Sequence, residues 1–345
     1  MKIKQLFTLL TALVVFTGFA QNTITVDNSP GANADYADLQ PAINFANPND
    51  IIYVHASETS YGQVTITKPL SIIGFGHSNP DKNTYLDGII LNDDSDGSYI
   101  SGLYVDGDID TNTNNTTILN DLIFENNIVR NMDFNGLGAN NVLIRGNVIR
   151  RIGGGTNGTT NYTNTLITNN IFADNSNTGG SEGVSLKNHE SIIIRNNIFL
   201  YVAEVENLSD DTGDIVVQNC IFYRISGTTL DWNNNGVIFE NCLTYNPNGA
   251  ITPLVGTGNW DDANPNFVYV DDDWNPTFDF HLQPSSVAIG AGVNGEDLGI
   301  YDGVTPFFFN NFGFTAGIPT VTITAITEQV APGDNIEVTI QSNSN

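Results

Sequence analysis

One six-residue phrase recurs six times through the middle of this chain, at residues 123–128, 143–148, 166–171, 193–198, 216–221 and 238–243. Each copy opens with two apolar residues, continues through three positions that are nearly all polar, and ends on an apolar one. With the fifth position as marker, the copies fall at 127, 147, 170, 197, 220 and 242, in steps of 20, 23, 27, 23 and 22 residues. A period in the low twenties with small insertions is the mark of a solenoid, in which each turn buries its apolar face only by stacking on the next.

The copies align into columns. The second position holds Phe124, Ile144, Ile167, Ile194, Val217 and Phe239; two residues earlier lie Leu122, Val142, Thr165, Ile192, Ile215 and Val237. This period of two, rich in β-branched residues, predicts short strands with one face inward. The column two residues before the marker (Glu125, Arg145, Thr168, Arg195, Gln218, Glu240) is able to face water. Proline is absent from all six copies, as paired interior strands require. The linking segments carry Gly and Asn-Gly turn residues and no helix-length amphipathic run, so parallel strands must coil on themselves. The expected fold is all-β, a right-handed parallel β-helix.

The marker column is expected to be structural. Asn127, Asn147, Asn170 and Asn197 would stack, with their amides bonded to one another and to turn backbone, as in cross-β Asn ladders. Cys220 and Cys242, the only cysteines, extend that column. In-register stacking brings their backbones about 4.8 Å apart, within reach of a disulfide. Two buried thiols are the alternative, and both readings stay open here. After the marker come two apolar columns, one starting Ile128, Val148, Ile171 and the other Ile149, Phe172, Phe199. Neighbours on a strand cannot both point inward, so one column must form an outer apolar stripe, expected to be covered by the chain itself.

The ends carry their own signals. Residues 36–46 read as a short amphipathic helix, followed by strands around Ile51–Val54, a Tyr61-Gly62 loop, Lys68-Pro69-Leu70 and Gly74-Phe75-Gly76. A helix over the first turn would protect an open sheet edge. Behind the repeats stand Asn264-Pro265, then Asp279-Phe280-His281-Leu282, then Asp297-Leu298-Gly299. These segments resemble the opening and closing parts of right-handed β-helix proteins of the pectin-lyase-like superfamily, of the kind secreted by Bacteroidetes. The resemblance covers roughly residues 30–303. It implies fold and export but not one reaction, because such scaffolds carry lyases, hydrolases and binding proteins alike.

The expected organisation is a signal peptide over residues 1–20, a capped β-helix over 21–310, and a tail over 311–345 with a β-hairpin around Pro332-Gly333. Lys2, Lys4, the apolar run from Leu6 to Phe19 and Ala20 have the pattern of a secretory leader. The run is shorter than the roughly 20 apolar residues of a membrane span. The chain carries Lys+Arg 11 against Asp+Glu 38, a formal net charge of −27. That charge argues against nucleic acid as a partner, and against a polyanionic glycan unless calcium bridges the two.

Chemistry is harder to place. No hydrolase or pectate-lyase motif is complete. Lys187, His189, Glu190 and Arg195 fall within one turn; there a lysine base and an arginine that neutralises a uronate would suit a lyase. Arg130 and Arg150 share a column beside Arg151, able to hold a carboxylate or sulfate, with simple pairing to Glu125 and nearby aspartates as the plainer expectation. Asp106, Asp108 and Asp110 alternate, and Asp93, Asp94 and Asp96 precede them; this density of oxygen ligands suits Ca²⁺, although it is no EF-hand loop. Trp232, Trp260 and Trp274 lie at or beyond the last copies, as a terminal plug or a platform for sugar rings. No cofactor is required by any motif. The expectation is a secreted protein that binds polysaccharide or a cell-surface glycan without catalysis; the alternative is a polysaccharide lyase or glycoside hydrolase acting on an acidic glycan.

Overall fold

The computed structural model describes residues 21–77, 83–153, 161–173, 183–186, 189–201, 204–207, 215–223, 236–247, 251–271, 278–303, 320–326 and 338–343. The expected leader lies outside them. The described strands form a parallel β-solenoid. In its first face Ile123 pairs with Leu143, Leu143 with Leu166, Leu166 with Ile193, Ile193 with Val216 and Val216 with Ile238, all parallel and without slip. Upstream rungs that lack the phrase continue the same sheet: Thr23–Val26, Ile51–Val54, Ser71–Ile73 and Tyr99–Ser101.

The other strands make a second sheet that bends. Tyr104–Thr111, Ile128–Asp133 and Val148–Gly153 are long enough to turn a corner. Their first halves pair with Tyr85–Leu86 and Ile171–Ala173, and their second halves with Gly88–Leu91 and Gly183–Leu186. Three faces thus surround one apolar axis. Ile100, Phe124, Ile144, Ile167, Ile194, Val217 and Phe239 stack inward from the first face, all fully buried. Phe172, Phe199 and Phe222 stack inward from the second, ring on ring at 4.4 and 4.5 Å, close to the spacing of adjacent strands.

Two residues per rung make the corner between these faces. The first has positive φ: Gly102, Asn126, Gly146, Asn169, Asn196, Asn219, Asn241 and Gly258, with φ between 53° and 74°. Gly enters this left-handed region at the lowest cost and Asn at less cost than most residues, in keeping with a column built from these two. The second is the expected Asn ladder. The Nδ2 groups of Asn127, Asn147 and Asn170 each donate to the Oδ1 of the next rung's Asn at 3.0 Å. They also donate to the carbonyls of Ile100, Phe124 and Ile144. Each Oδ1 of Asn147, Asn170 and Asn197 accepts in addition the marker backbone N–H of the rung before. Cys220 and Cys242 continue the column as free, buried thiols. The Cys220 sulfur accepts from the Asn197 backbone N–H at 3.4 Å, and Asn259 resumes amide bonding to Cys242 one rung later.

At the start, the helix Leu39–Phe45 lays Leu39, Ala42 and Ile43 on the first turn. Pro41 falls in its first turn, where no backbone donor is needed. Beyond the last rung, Phe267–Tyr269 and Asp279–Leu282 form an antiparallel pair. Thr320–Ile326 and Val338–Asn343 form a separate hairpin. Among the described residues no helix is long and apolar enough to cross a membrane.

Candidate functional site

The outer surface of the second face divides the molecule. Its stripe runs Tyr104, Ile128, Val148, Ile171, Ile198, Ile221, Leu243, in register. From Ile171 to Leu243 it is fully buried, because the chain after the last rung folds back over it. The returning segment runs against the direction of rung stacking and is held by the left-handed asparagines. Asn241 Nδ2 donates to the Ala291 carbonyl, Asn219 Oδ1 accepts from the Val293 N–H, and Asn169 Nδ2 donates to the Ile300 and Asp302 carbonyls. Leu298 and Ile300 lie against the stripe, and Gly299 passes close over Ile198 and Ile221.

Cover stops at the rung of Val148. Ile128 is half-buried, and Tyr104 leans on Tyr85 with ring centroids 4.6 Å apart. A cavity of about 440 Å³ opens there, floored by Tyr104, Ile128 and Val148, flanked by Asp106, Arg130 and Arg150, and ended by Ala173. It continues through Tyr104 and Asp106 into a second cavity of about 300 Å³ containing Tyr85, Asp87 and Glu58. Glu58 and Tyr85 also line a third, of about 910 Å³, with His55 and Phe75. The result is one groove along the solenoid axis, with aromatic rings on successive rungs. The corner beside it is closed from the other side. The Gly76 N–H donates to the Gly102 carbonyl, and His77 places Nε2 2.8 Å from the Gly146 carbonyl. Burial pushes the His77 pKa down to about 4, so the ring is neutral at pH 7 and Nε2 is assigned as the donor.

Past the bend, the same three strands present a charged cluster. Register sets Asp108 against Asn131 and Asp110 against Asp133, then Asn131 against Arg151 and Asp133 against Gly153. Carboxylate oxygens of Asp108, Asp110 and Asp133 all lie within 4.8 Å of one another. Arg151 donates to both Asp133 oxygens, at 2.8 and 2.6 Å. Gly153 makes room for that pair, since a Cβ there would sit 2.8 Å from Asp133 Oδ1. Asp110 has its pKa pushed up to about 6, first by burial and then by the charges of Asp108 and Asp133, against a smaller opposing pull from Arg151.

The candidates from sequence separate on this frame. Arg130 and Arg150 stand side by side in the groove. Asp108 and Asp110 join Asp133 in the cluster, while Asp106 stays on the groove side of the bend. Glu125 pairs with Arg145 of its own outer column, not with Arg130 or Arg150. Asp93 is bound by the N–H and hydroxyl groups of Thr116 and Thr117, which lower its pKa to about 2. Asp96 accepts from Asn120; both carboxylates therefore hold a turn. Arg195 bonds Glu296 at 2.7 Å and so anchors the returning segment. Lys187 and the side chains of His189 and Glu190 lie outside the described residues, as do Trp232 and Trp274. Trp260 extends the second face beyond Leu243 and is 43% exposed, five rungs, or about 24 Å, from Val148.

Tyr85, Tyr104, Asp133 and Gly153 were not visible as candidates in sequence. Among known proteins, no family model matches this chain, and a search of curated sequences finds no significant match.

Proposed function

We propose that this is a secreted right-handed β-helix protein of the pectin-lyase-like kind, and that it binds a polysaccharide or cell-surface glycan in the groove along Tyr85 and Tyr104. The observation that carries the reading is the open end of the apolar stripe. Where the rungs from Ile171 to Leu243 are covered by the chain itself, these rungs hold two adjacent aromatic rings edged by arginine and carboxylates. Aromatic faces stack on the apolar faces of sugar rings while charged and polar groups bond their hydroxyls. Titration calorimetry against a panel of oligosaccharides tests it. Tyr104→Ala weakens glycan binding at least tenfold with little change in melting temperature. A panel without any binder removes the reading.

The enzymatic alternative moves from Lys187 and Arg195 to the aspartates, because Arg195 is occupied by Glu296. Asp110, whose raised pKa lets it keep its proton up to about pH 6, would act as acid, and Asp133, bonded by Arg151, as base or nucleophile. Release of reducing ends from an acidic glycan, abolished by Asp110→Asn, would establish it. Asp108, Asp110 and Asp133 are also the residues that would hold a Ca²⁺ ion, a hard cation that takes carboxylate oxygens.

A further inference from the structure

The groove is blind at one end and open at the other, and its charge changes sign along its length. At the blind end the column that contains Arg150 continues as Ala173 and Leu200, 2% and 0% exposed beneath the returning C-terminal segment. A ligand lying along the stripe therefore cannot pass beyond Ala173. At the open end the groove runs past Tyr104 and Tyr85 toward His55 without such a wall among the described residues. From Ala173 to Tyr85 is four rungs, about 19 Å, enough for a short oligosaccharide.

Charge defines what can lie there. Arg130, exposed, and Arg150 occupy adjacent rungs immediately before the blind end. The rest of the track carries Asp106, Asp87 and Glu58 and no described arginine or lysine. On a chain of net charge −27, a ligand with an anion on every sugar would meet repulsion along most of its length. A ligand with one anion, placed at its tip, would meet only the arginines.

We infer that the groove reads the end of a glycan: a neutral chain whose terminal sugar carries a single carboxylate, seated against the exposed Arg130, with the following sugars on Tyr104 and Tyr85. This rests on the glycan reading above and gives it a ligand class. Fork-shaped guanidinium groups match a carboxylate, and such charge-assisted bonds are stronger than the neutral ones that hold the rest of the chain.

The test compares three probes on the full chain: a neutral hexose tetrasaccharide, the same tetrasaccharide with one terminal uronic acid, and a polyuronate. The end-capped probe binds about tenfold more tightly than the neutral one, the equivalent of one good charged contact, and the polyuronate binds more weakly than either. Arg130→Ala removes the preference, so that neutral and end-capped probes bind alike, and Arg130→Glu reverses it. Arg130 is exposed, so both variants keep the wild-type melting temperature. Equal affinity for neutral and end-capped probes, an unchanged preference in Arg130→Ala, or tightest binding of the polyuronate overturns the inference. If in those cases Tyr104→Ala still abolishes binding, the glycan reading stands without it; if no probe binds the wild-type protein, both fall.

Discussion

The rungs from Tyr104 to Gly153 and those from Ile171 to Tyr245 share one backbone plan, one Asn ladder and one outer stripe, yet they end differently. In the later rungs the stripe is aliphatic and the chain returns to cover it. In the earlier rungs the stripe passes from Val148 and Ile128 to an aromatic residue at Tyr104, its neighbours turn charged, and the cover stops. The inward positions cannot explain the difference, since both halves are equally buried inside. The outward positions alone decide which half becomes core and which becomes a binding surface. A solenoid allows this because each turn's outer face is independent of the next.

The ladder provides a control, because it ignores the boundary. Replacing Asn170 by Leu leaves the buried Asn147 N–H without its acceptor, and takes one acceptor from Asn147 Nδ2 and one donor from the Ile144 carbonyl. At about 1–3 kcal/mol for a buried unsatisfied group and less for each other lost bond, the expected loss is about 4 kcal/mol in denaturant unfolding. Asn147→Leu, on the open side of the boundary, costs about the same. A large difference between the two would mean that the halves differ inside as well as outside.

The stripe itself responds unequally. Ile198→Ala removes a side chain packed on one side by neighbouring rungs and on the other by Gly299, at a cost of about 3 kcal/mol. Ile128→Ala, half-buried at the rim of the groove, costs about 1 kcal/mol. Equal costs would show that the returning segment adds nothing to the stability of the half it covers.

Sequence carried the rungs but not the site, for a physical reason. The six phrases repeat because every turn needs the same inward apolar residue and the same corner. The Asn-or-Gly restriction at 126, 146, 169, 196, 219 and 241 is also legible in the sequence as a left-handed signature. The outer stripe followed from strand alternation. The acidic cluster was legible only in part: the alternation of Asp106, Asp108 and Asp110 marks two of its members, and nothing marks Asp133. Asp110 and Asp133 belong to different turns, and their juxtaposition depends on a register shift between Val129 and Asn131 that spacing does not reveal. Tyr85 and Tyr104 lie upstream of the phrases, where no repeat marks which residues stack.

The smallest effect sharpens the comparison most, since it belongs to the open half alone. Asp110 has a folded-state pKa near 6, above the ordinary carboxylate value of 3.8. A raised carboxyl pKa means that the folded protein holds the proton more tightly than the unfolded chain. Asp110 therefore costs nothing below about pH 4, and its cost grows as pH rises toward 6 and is complete above it. With solvent screening of a half-buried group, that cost is on the order of 1 kcal/mol. Asp110→Asn should raise stability at pH 7.5 by this amount and leave it unchanged at pH 3.5, in paired denaturant titrations. Millimolar Ca²⁺ should reverse the order at pH 7.5: a bound cation favours the ionised carboxylates, so the wild type gains stability that the variant does not. A variant that gains equally at both pH values would show that Asp110 carries no proton linkage, and that charge crowding beyond the bend is not what sets the open half apart.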